Sequence, residues 1–426
     1  MEQLLLPNSA NSTPLTTLGF LERAAAAYTD CPSLVYNNTT YTWSETHRRC
    51  LQVASSLSSV GIQRGHVVSV VAPNVPSMYE LQFGVPMSGA ILNNINTRLD
   101  AHNLSVLLQH SESKLVFVDH LHSSLVLEAL SLFPRDTKRP HLVLIDDDAA
   151  ASSTTTTSPT VTVDFIDTYE GFVEEGDPKY KWVQPRSEWD PMVLNYTSGT
   201  TSSPKGVVHS HRGIFILTAN ALIDWAVPKL PRGKTEGKAR SEDVGLAEVD
   251  VVNPETGESV KRDGVSLGEV VLRGGCVTVG YFKDKEATRR CISDNGWFYT
   301  GDIGVMHADG YVEIKDRSKD VIISGGENIC SAEVESVLYS ITAVNEAAVV
   351  ARPDMFWGEI PCAFVSLKRD LELTEKPTEK EIIEYCRARL PRYMVPRKVV
   401  FSEELPKTST GKIQKYLLRE FAKSVS

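Results

Sequence analysis

The sequence predicts an α/β fold in two parts: a large amino-terminal domain of parallel βα-type sheets and a small carboxy-terminal α+β domain. Two observations predict it. Short apolar runs alternate with helical patterns through the first part of the chain, and strands separated by helices pair in parallel with helices on both faces. From Arg317 onward, the last 110 residues mix helix and strand patterns, which is a normal size for a small domain.

The first part opens with a predicted hairpin, in which two short apolar runs flank Asn37 and Asn38. A helix follows, with Ser44 as its candidate N-cap. A second helical pattern covers Ala101–His110. The buried strands of the parallel sheet are predicted at Val67–Pro73, Ala90–Asn94, Lys114–Asp119 and His141–Asp146.

The later part of the chain predicts turn-rich strands and then the small domain. The clearest strands are Gly268–Gly274 and Tyr311–Asp316. A helix is predicted from Thr378, where Thr378 and Glu381 have the spacing of a capping box. The other predicted elements of the small domain are a helix near Ser331–Ser340 and strands near Ala347–Val350 and Cys362–Leu367.

Two stretches break the pattern of strands and helices. Ala149–Thr160 is a low-complexity run rich in Ser and Thr, which predicts an exposed flexible loop. Pro228–Asp243 is polar and charged and has no apolar periodicity. We therefore expect neither stretch to contribute to a core.

Composition excludes several classes of protein. A net charge of −10 argues against a nucleic-acid-binding protein and against an anionic membrane surface. The seven cysteines are scattered without a C-x-x-C pair, which predicts a reducing compartment and no zinc site. We expect no signal peptide and no membrane-spanning segment. The expected location is the cytoplasm; the peroxisome is the alternative, although the chain ends in KSVS rather than an SKL-type signal.

The stretch YTSGTTSSPKGVVHSH, from Tyr196 to His211, is the first candidate site. It follows an apolar strand and contains seven Ser or Thr hydroxyls, two glycines and one lysine. Backbone N–H groups and hydroxyls can surround phosphate oxygens, and Lys205 would supply positive charge. It lacks the spacing of a Walker A loop. Judged alone, such a hydroxyl-rich loop is more often a polar linker, and the strand before it and the Pro-Lys-Gly after it make the two interpretations about equal.

Two further stretches carry candidate residues. GWFYTGD ends at Asp302, which could accept the hydroxyls of a ribose or merely cap a turn. After it, Arg317 and Lys319 could form surface ion pairs, and SGGEN could be only a turn. LPKTSTGK presents Lys412, which could neutralise a developing anion or be a solvated side chain.

Taken together, these stretches resemble the AMP-forming acyl-activating enzymes. YTSGTTSSPKG, GWFYTGD, KDRSKDVIISGGENI and LPKTSTGK match the signatures of that family in the right order. The text around APNVPSMYELQFGVPMSGAILNNINTRLD and VVARPDMFWGEIPCAF resembles the plant branch near benzoate-CoA and short-to-medium-chain acyl-CoA ligases. The resemblance implies that a carboxylate and ATP form an acyl-adenylate, and that the CoA thiol then displaces AMP.

The resemblance also implies roles for individual residues. Lys412 would be the catalytic residue that bridges carboxylate and α-phosphate, and Lys319 would be the hinge about which the small domain turns. The CoA pantetheine would lie along Gly325, Gly326 and Trp357. The ATP and AMP site would comprise Thr197, Ser198, Gly199, Thr200, Thr201, Lys205, Asp302 and Arg317.

The implied ligands are a small carboxylic acid, ATP with Mg²⁺, and CoA as co-substrate, with no nucleic acid and no membrane insertion. No residue is assigned to a metal. The resemblance leaves the acid open between a fatty and a small aromatic acid, and it leaves the oligomeric state open.

The chain departs from the family in one respect. Only 90 residues separate Lys205 from Gly296, whereas family members have well over a hundred more, including a Y-G-x-T-E motif whose Glu helps to hold Mg²⁺. We expect a large domain at 1–316 with a segment missing near 222–250, close to Trp225, and a small lid domain at 317–426. Two hypotheses follow: an acyl-CoA ligase, or a truncated and impaired relative that at most binds nucleotide or CoA.

Overall fold

The computed structural model describes residues 13–146, 165–197, 205–224, 247–369, 376–408 and 411–424. The predictions for 149–160, 228–243 and Trp225 lie outside these residues. The chain forms two compact units. The first comprises the described residues up to 224 together with 275–288, and the second comprises the described residues of 247–274 and of 289–424. The predicted domain division after residue 316 stays a prediction.

The amino-terminal elements of the first unit pack around one helix. Helix α1 (Leu18–Ala27) precedes the hairpin β1 (Pro32–Tyr36) and β2 (Thr39–Thr42), which confirms the predicted hairpin. Helix α2 (Trp43–Ser59) begins one residue before Ser44. Its N-cap is Thr42, whose side chain accepts from the N–H of Glu45 while the Glu45 carboxylate accepts from the N–H of Thr42. The N-cap prediction was wrong because this capping box satisfies two backbone donors at once.

The predicted parallel sheet is confirmed. Its central strands are β3 (Val67–Val71), β4 (Ile91–Asn94), β5 (Leu115–Asp119) and β6 (His141–Ile145), all paired in parallel. The elements completing this part are α3 (Pro76–Met87), α4 (Ala101–Ser111), a 3₁₀ turn (His120–His122), α5 (Ser123–Ser131), β7 (Asp167–Thr168), α6 (Tyr169–Glu174), β8 (Pro191–Thr197), β9 (Lys205–Ser210) and α7 (His211–Asp224).

Helices cover both faces of this sheet, as predicted. Along β5, Leu115 and Phe117 point into one hydrophobic cluster, which includes residues of α2 and α3. Val116 and Val118 point into the other, which is lined by α4 and α5. Both faces are buried, which explains why the strands are continuous apolar runs rather than alternating ones.

The sheet changes character at one end. Its strand order is β12-β9-β8-β4-β3-β5-β6-β7, where β12 is Gly280–Tyr281. Strand β8 pairs in parallel with β4, but β9 runs antiparallel to β8, and β12 runs antiparallel to β9. The stretch between β8 and β9 therefore follows the carboxyl end of a parallel strand, where such sheets present loops to ligands.

The second unit contains a four-stranded antiparallel sheet. Its strands, in spatial order, are β10 (Ala247–Val252), β11 (Leu267–Gly274), β13 (Phe298–Met306) and β14 (Val312–Arg317). Helix α8 (Lys285–Cys291) lies in the chain between β12 and β13. The predicted strands at Gly268–Gly274 and Tyr311–Asp316 are confirmed to within a residue.

The carboxy-terminal part of the second unit is α+β, as predicted. Strands β17 and β18 form a long hairpin, and β15 and β19 both pair with β18, next to a core of mainly aliphatic side chains. The capping box of Thr378 and Glu381 is confirmed at the start of α10. The elements are β15 (Ile322–Ser324), β16 (Glu327–Ile329), α9 (Ser331–Tyr339), β17 (Val344–Asp354), β18 (Gly358–Leu367), α10 (Glu379–Arg387), β19 (Lys398–Phe401) and α11 (Lys415–Ser424).

Within the described residues, no helix has both the length and the apolar content needed to cross a lipid bilayer.

A buried ionic cluster joins α2, α3 and α6, and it predicts a large effect of one substitution. Arg49 donates to Glu80 at 2.6 Å and to Glu170 at 2.6 and 2.9 Å, and the Tyr169 hydroxyl donates to Glu80 at 2.7 Å. Glu80 is 1% exposed. Arg49→Met leaves that carboxylate buried without its cation, so we expect a loss of about 3–5 kcal/mol in the free energy of unfolding.

Urea denaturation measures this loss, and Arg387→Met is the matched control. Arg387 and Glu384 form an exposed pair one helical turn apart on α10, so the control should cost less than about 0.5 kcal/mol. Equal effects of the two substitutions would contradict the role given to Arg49.

His211, at the start of α7, predicts a pH dependence of stability. Burial lowers the pKa of His211 from 6.5 to about 4, and its Nδ1 lies 2.9 Å from the Thr16 hydroxyl. As the pH falls below 6.5, the unfolded chain binds a proton before the native protein does. The contribution of His211 to the free energy of unfolding is therefore fully present above pH 6.5. It is lost as the pH falls toward 4, by about 3 kcal/mol in total. Melting temperatures across this range measure the fall.

His211→Asn is the control, because its amide can still pair with Thr16 but does not titrate. The variant should show a shallower decline between pH 6.5 and 4. An unchanged decline would mean that other groups cause it.

Candidate adenylate-forming site

The candidate phosphate-binding stretch is held at both ends by paired strands. Thr197 ends β8, Lys205 begins β9, and the two are direct partners in the antiparallel register. The structure therefore brings these two predicted residues together. The remaining predicted residues of the stretch, Ser198, Gly199, Thr200 and Thr201, lie outside the described residues.

Aromatic side chains that sequence reasoning missed surround these two ends. The Tyr196 hydroxyl lies 2.7 Å from His110 Nδ1, and Lys205 Nζ lies 4.8 Å from the centre of the Tyr281 ring. Desolvation by burial raises the pKa of Tyr196. Desolvation by burial lowers the pKa of His110, and the nearby positive charge of Lys283 lowers it further. Both groups are therefore neutral at pH 7 and act as a hydrogen-bonded support rather than as charges.

The structure brings Asp302 and Arg317 together on neighbouring strands. They face each other in the register of β13 and β14, and Arg317 Nε lies 2.8 Å from Asp302 Oδ1. The Arg317 side chain is 57% exposed, so the pair adds little stability. Its value is chemical: a partly exposed carboxylate next to a cation can accept hydroxyl groups while the cation faces an anion.

The backbone before Asp302 is fixed by its own hydrogen bonds. The Thr300 hydroxyl donates to the carbonyl of Val270 at 2.8 Å, and the N–H of Gly301 donates to Glu269 at 2.9 Å. Gly301 has a φ of +75°, which favours glycine. Asp302 thus lies inside a strand, next to an irregularity in its pairing, and the alternative that it caps a turn is wrong.

Lys319 lies in the short turn between β14 and β15, and it is exposed. The residues on either side are anchored. The carboxylate of Asp316 accepts from both the N–H and the hydroxyl of Ser331, at 2.6 and 2.7 Å. Arg419 of α11 forms an ion pair with Asp320 at 2.5 Å and donates to the carbonyl of Lys319. The turn is short and held at both ends, and the hinge role of Lys319 stays a prediction.

Gly325 and Gly326 form the two-residue turn of the hairpin between β15 and β16. Both have positive φ values, +59° and +88°, as a type I′ turn requires. The N–H of Gly325 donates to the carbonyl of Trp357 at 2.8 Å. A Cβ on Gly325 would lie 2.6 Å from the Trp357 ring, whereas one on Gly326 would meet nothing within 4 Å. SGGEN thus forms a turn, which leaves its predicted CoA role a prediction, and Trp357 explains why Gly325 is needed.

Trp357 lies at the tip of the hairpin between β17 and β18. The Asp354 carboxylate accepts from the N–H groups of Phe356 and Trp357, both at 2.9 Å, and these bonds lower the pKa of Asp354. Trp357 is 42% exposed. An aromatic ring beside two glycines gives an apolar surface with accessible backbone, which suits an extended amide-containing ligand.

Lys412 is exposed and its backbone is fixed by Thr408. The N–H of Lys412 donates to the Thr408 hydroxyl at 3.2 Å, and the Lys412 carbonyl accepts from the N–H of Thr408 at 2.8 Å. Gly411 has a φ of +83°. Two hydrogen bonds to Thr408 thus hold the backbone of Lys412, whose side chain is exposed. The threonine of LPKTSTGK is the sequence signal for this support.

The described residues contain no group of three or more His, Cys, Asp or Glu side chains that could hold a metal ion. Mg²⁺ at nucleotide sites is usually held by one or two carboxylates together with water and the substrate phosphates, so it does not require such a cluster.

Two family patterns match the chain. The family described as AMP-binding enzyme matches residues 21–235, and the one described as AMP-binding enzyme C-terminal domain matches residues 333–412.

Similar proteins come from plants. A 2-methylpropanoate–CoA ligase of Humulus lupulus is 49% identical over 547 residues, which cover 99% of this chain and 97% of the relative. Probable acyl-activating enzyme 9 of Arabidopsis thaliana is 50% identical over 552 residues, which cover 99% and 100%. Probable acyl-activating enzyme 5 of the same plant, named as peroxisomal, is 45% identical and covers 100% and 99%.

Solved structures share the fold. An anthranilate CoA ligase in complex with anthranoyl-AMP has a TM-score of 0.75 at 20% identity and covers 98% of this chain and 99% of its own. An o-succinylbenzoate CoA synthetase of Bacillus subtilis, in complex with ATP and magnesium, has a TM-score of 0.72 at 19% identity and covers 94% and 98%. An α/β fold with a large first part and smaller carboxy-terminal sheets is thereby confirmed.

The length of these alignments confirms a large internal difference. The first spans 547 positions, 121 more than the 426 residues of this chain. At least that many residues of the relative have no counterpart here. Because the match covers nearly the whole of both chains, these positions lie inside it.

The Gly-Gly turn predicts unequal effects of two matched substitutions. Gly325→Ala introduces left-handed strain and a clash with Trp357, so it should lower the free energy of unfolding by about 2–3 kcal/mol. Gly326→Ala introduces strain alone and should cost about 1 kcal/mol. Urea denaturation compares them. Equal losses would show that Trp357 does not constrain the turn.

Proposed function

The chain belongs to the AMP-binding enzyme family, and we propose that it is an ATP-dependent carboxylic acid–CoA ligase. In the first half-reaction, a carboxylate oxygen forms a bond to the α-phosphorus of ATP while the bond to pyrophosphate breaks. In the second, the CoA sulfur bonds to the acyl carbon, AMP leaves, and the thiol proton is released. The products are acyl-CoA, AMP and pyrophosphate.

The pair of Asp302 and Arg317 is the observation that carries this proposal. Adjacent strands hold a carboxylate and a guanidinium 2.8 Å apart, both partly exposed. A ribose offers two hydroxyls to a carboxylate, and its phosphate offers negative charge to an arginine. The pair therefore suits the ribose and phosphate of AMP, with Asp302 on the ribose and Arg317 on the same nucleotide.

The triphosphate is assigned to the hydroxyl-rich stretch from Thr197 to Lys205. Thr197 and Lys205 close the stretch that includes Ser198, Gly199, Thr200 and Thr201, and this stretch supplies hydroxyls, backbone donors and one cation. The Mg²⁺ enters bound to ATP. No residue of this chain is assigned to the ion, and no step depends on a protein-held metal.

Lys412 is proposed as the catalytic residue of adenylation. Its exposed ammonium would align the carboxylate with the α-phosphate and neutralise charge that develops between them. The turn fixed by Thr408 limits the freedom of its backbone. Lys319 would be the hinge that lets the small domain, 317–426, change position between the half-reactions.

The CoA pantetheine arm is assigned to Gly325, Gly326 and Trp357. The hairpin turn leaves its backbone uncovered by side chains, and the tryptophan ring offers an apolar wall. A pantetheine chain carries amides between short apolar linkers, so it can use both.

We assign the acid to a fatty or small aromatic class. The relative from Humulus lupulus is named for 2-methylpropanoate, a short branched aliphatic acid. The proposed location is the cytoplasm, with the peroxisome as the alternative, since one relative is named as peroxisomal.

A second candidate function is a catalytically impaired relative that at most binds nucleotide or CoA. One observation favours it: at least 121 residues of the relative have no counterpart in this chain. We place the missing segment near 222–250, in the large domain 1–316. That segment normally carries part of the adenine and acid pockets, so its loss bears on activity more than on nucleotide phosphate contacts.

Carboxylate-dependent exchange of labelled pyrophosphate into ATP distinguishes the two functions. With Mg²⁺ and a panel that includes 2-methylpropanoate, hexanoate and benzoate, a ligase exchanges label only when its acid is present. Lys412→Ala should lower the exchange rate by about 100-fold, because one transition-state cation is lost. Lys423→Ala, an exposed lysine on α11, is the matched control.

Exchange that is lost in Lys412→Ala and kept in Lys423→Ala supports the ligase. Absence of exchange in folded protein that still binds ATP supports the impaired relative.

A further inference from the structure

Three consecutive residues, Tyr281, Phe282 and Lys283, contact the β9 end of the phosphate-binding stretch directly and its β8 end through His110. We call them the YFK clamp. The clamp begins with Tyr281, the last residue of β12, which pairs antiparallel with β9, so Tyr281 lies directly opposite Val207. The N–H of Tyr281 also donates to the Thr288 hydroxyl at 2.9 Å. The clamp backbone is therefore fixed on two sides before any ligand arrives.

Tyr281 contacts the end of the stretch that carries the positive charge. Its ring centre lies 4.8 Å from Lys205 Nζ, within the range in which an aromatic face attracts an ammonium. Both side chains are half-buried. A lysine side chain is long and flexible and loses much rotamer freedom when it is fixed. A ring under the ammonium restricts that freedom in the free protein, and the N–H groups that point away from the ring remain available.

Phe282 contacts the backbone of β9 and the ring of His110. Its N–H donates to the carbonyl of Gly206 at 2.7 Å, and its ring packs edge-on against His110, with the ring centres 5.9 Å apart. His110 in turn packs edge-on against Tyr196 and bonds its hydroxyl. A Cβ on Gly206 would lie 2.9–3.2 Å from Leu194, Phe282 and Tyr196. Glycine at this position is therefore needed for the two strand ends to approach the clamp.

Lys283 fastens the clamp to the end of α4. It donates to the carbonyl of His110 at 3.0 Å and forms an ion pair with Glu112 at 2.7 Å. The same pair lowers the pKa of Glu112. Because His110 supports Tyr196, this contact ties the clamp to the end of β8 as well as to β9.

We propose that Tyr281 is a positioning residue for phosphate binding, which holds the ammonium of Lys205 in place for the ATP phosphates. The inference rests on the proposed function, in which Lys205 binds those phosphates. Tyr281 itself touches no substrate and acts through Lys205. The clamp comes after the segment that we propose to be missing, so this support for the phosphate site is retained in the shorter chain.

Equilibrium binding of ATP in the presence of Mg²⁺, measured by titration calorimetry, tests the proposal without requiring catalysis. Tyr281→Leu should raise the dissociation constant for ATP about tenfold, and Tyr281→Phe, which keeps the ring, should stay within about twofold. Lys205→Met should weaken binding at least as much. In the Lys205→Met background, Tyr281→Leu should have no additional effect, because its action requires the lysine.

Tyr385→Leu is the matched control. The ring of Tyr385, on α10, also contacts a cation, that of Arg389. It should leave ATP binding unchanged. Melting temperatures of all variants identify any that unfold. If Tyr281→Leu is unfolded, ATP binding by Tyr281→Phe is compared with that of Lys205→Met instead.

Three results would overturn the proposal. ATP binding by Tyr281→Leu equal to that of the wild type, or additive effects in the double variant, would remove the role of Tyr281 and leave the ligase proposal standing. A Tyr281→Phe variant as weak as Lys205→Met would show that the ring does not act through the lysine. A wild-type protein that binds no ATP would overturn this inference and the proposed nucleotide site together.

Discussion

The antiparallel pairing of β8 with β9 is the constraint on which the candidate nucleotide site depends. It places Thr197 opposite Lys205 and so brings the two ends of the hydroxyl-rich stretch to adjacent positions at the edge of a parallel sheet. Strand β8 is fixed by its parallel pairing with β4, inside a core that is buried on both faces. A rigid sheet can therefore hold a ligand-binding stretch whose own residues need not pack into a core.

Pairing across strands also brings together two predicted site residues within the second unit. The register of β13 and β14 sets Asp302 beside Arg317, and the next residue before Arg317, Asp316, binds Ser331 at the start of α9. The candidate hinge residue, Lys319, lies in the turn that follows. Arg419 donates to the carbonyl of Lys319 and to the carboxylate of Asp320. The proposed nucleotide contact, Arg317, and the proposed hinge, Lys319, are thus only two residues apart in the chain.

The sequence predicted the strands of the parallel sheet well because they are continuous apolar runs, and both of their faces are buried. It predicted the capping box of Thr378 for a similar reason, since the signal is local. It misplaced the cap of α2, because Thr42 and Ser44 are both capable caps and only the position of Glu45 decides between them. The side-chain contacts at the candidate site were harder to predict from the sequence. The pairs of Tyr281 with Lys205 and of Gly325 with Trp357 join residues far apart in the chain, so no local pattern shows them. Resemblance to a family located the candidate residues, and the structure added the residues that support them.

The central claim is that this chain keeps a nucleotide-binding site although at least 121 residues of its relative have no counterpart in it. Hydrogen–deuterium exchange with and without ATP and Mg²⁺ tests that claim most directly. The account predicts slower exchange in peptides that span residues 196–210 and 298–306, with little change in peptides from α10. Unchanged exchange in both of the first two regions, at ATP concentrations well above the cellular level, would contradict it.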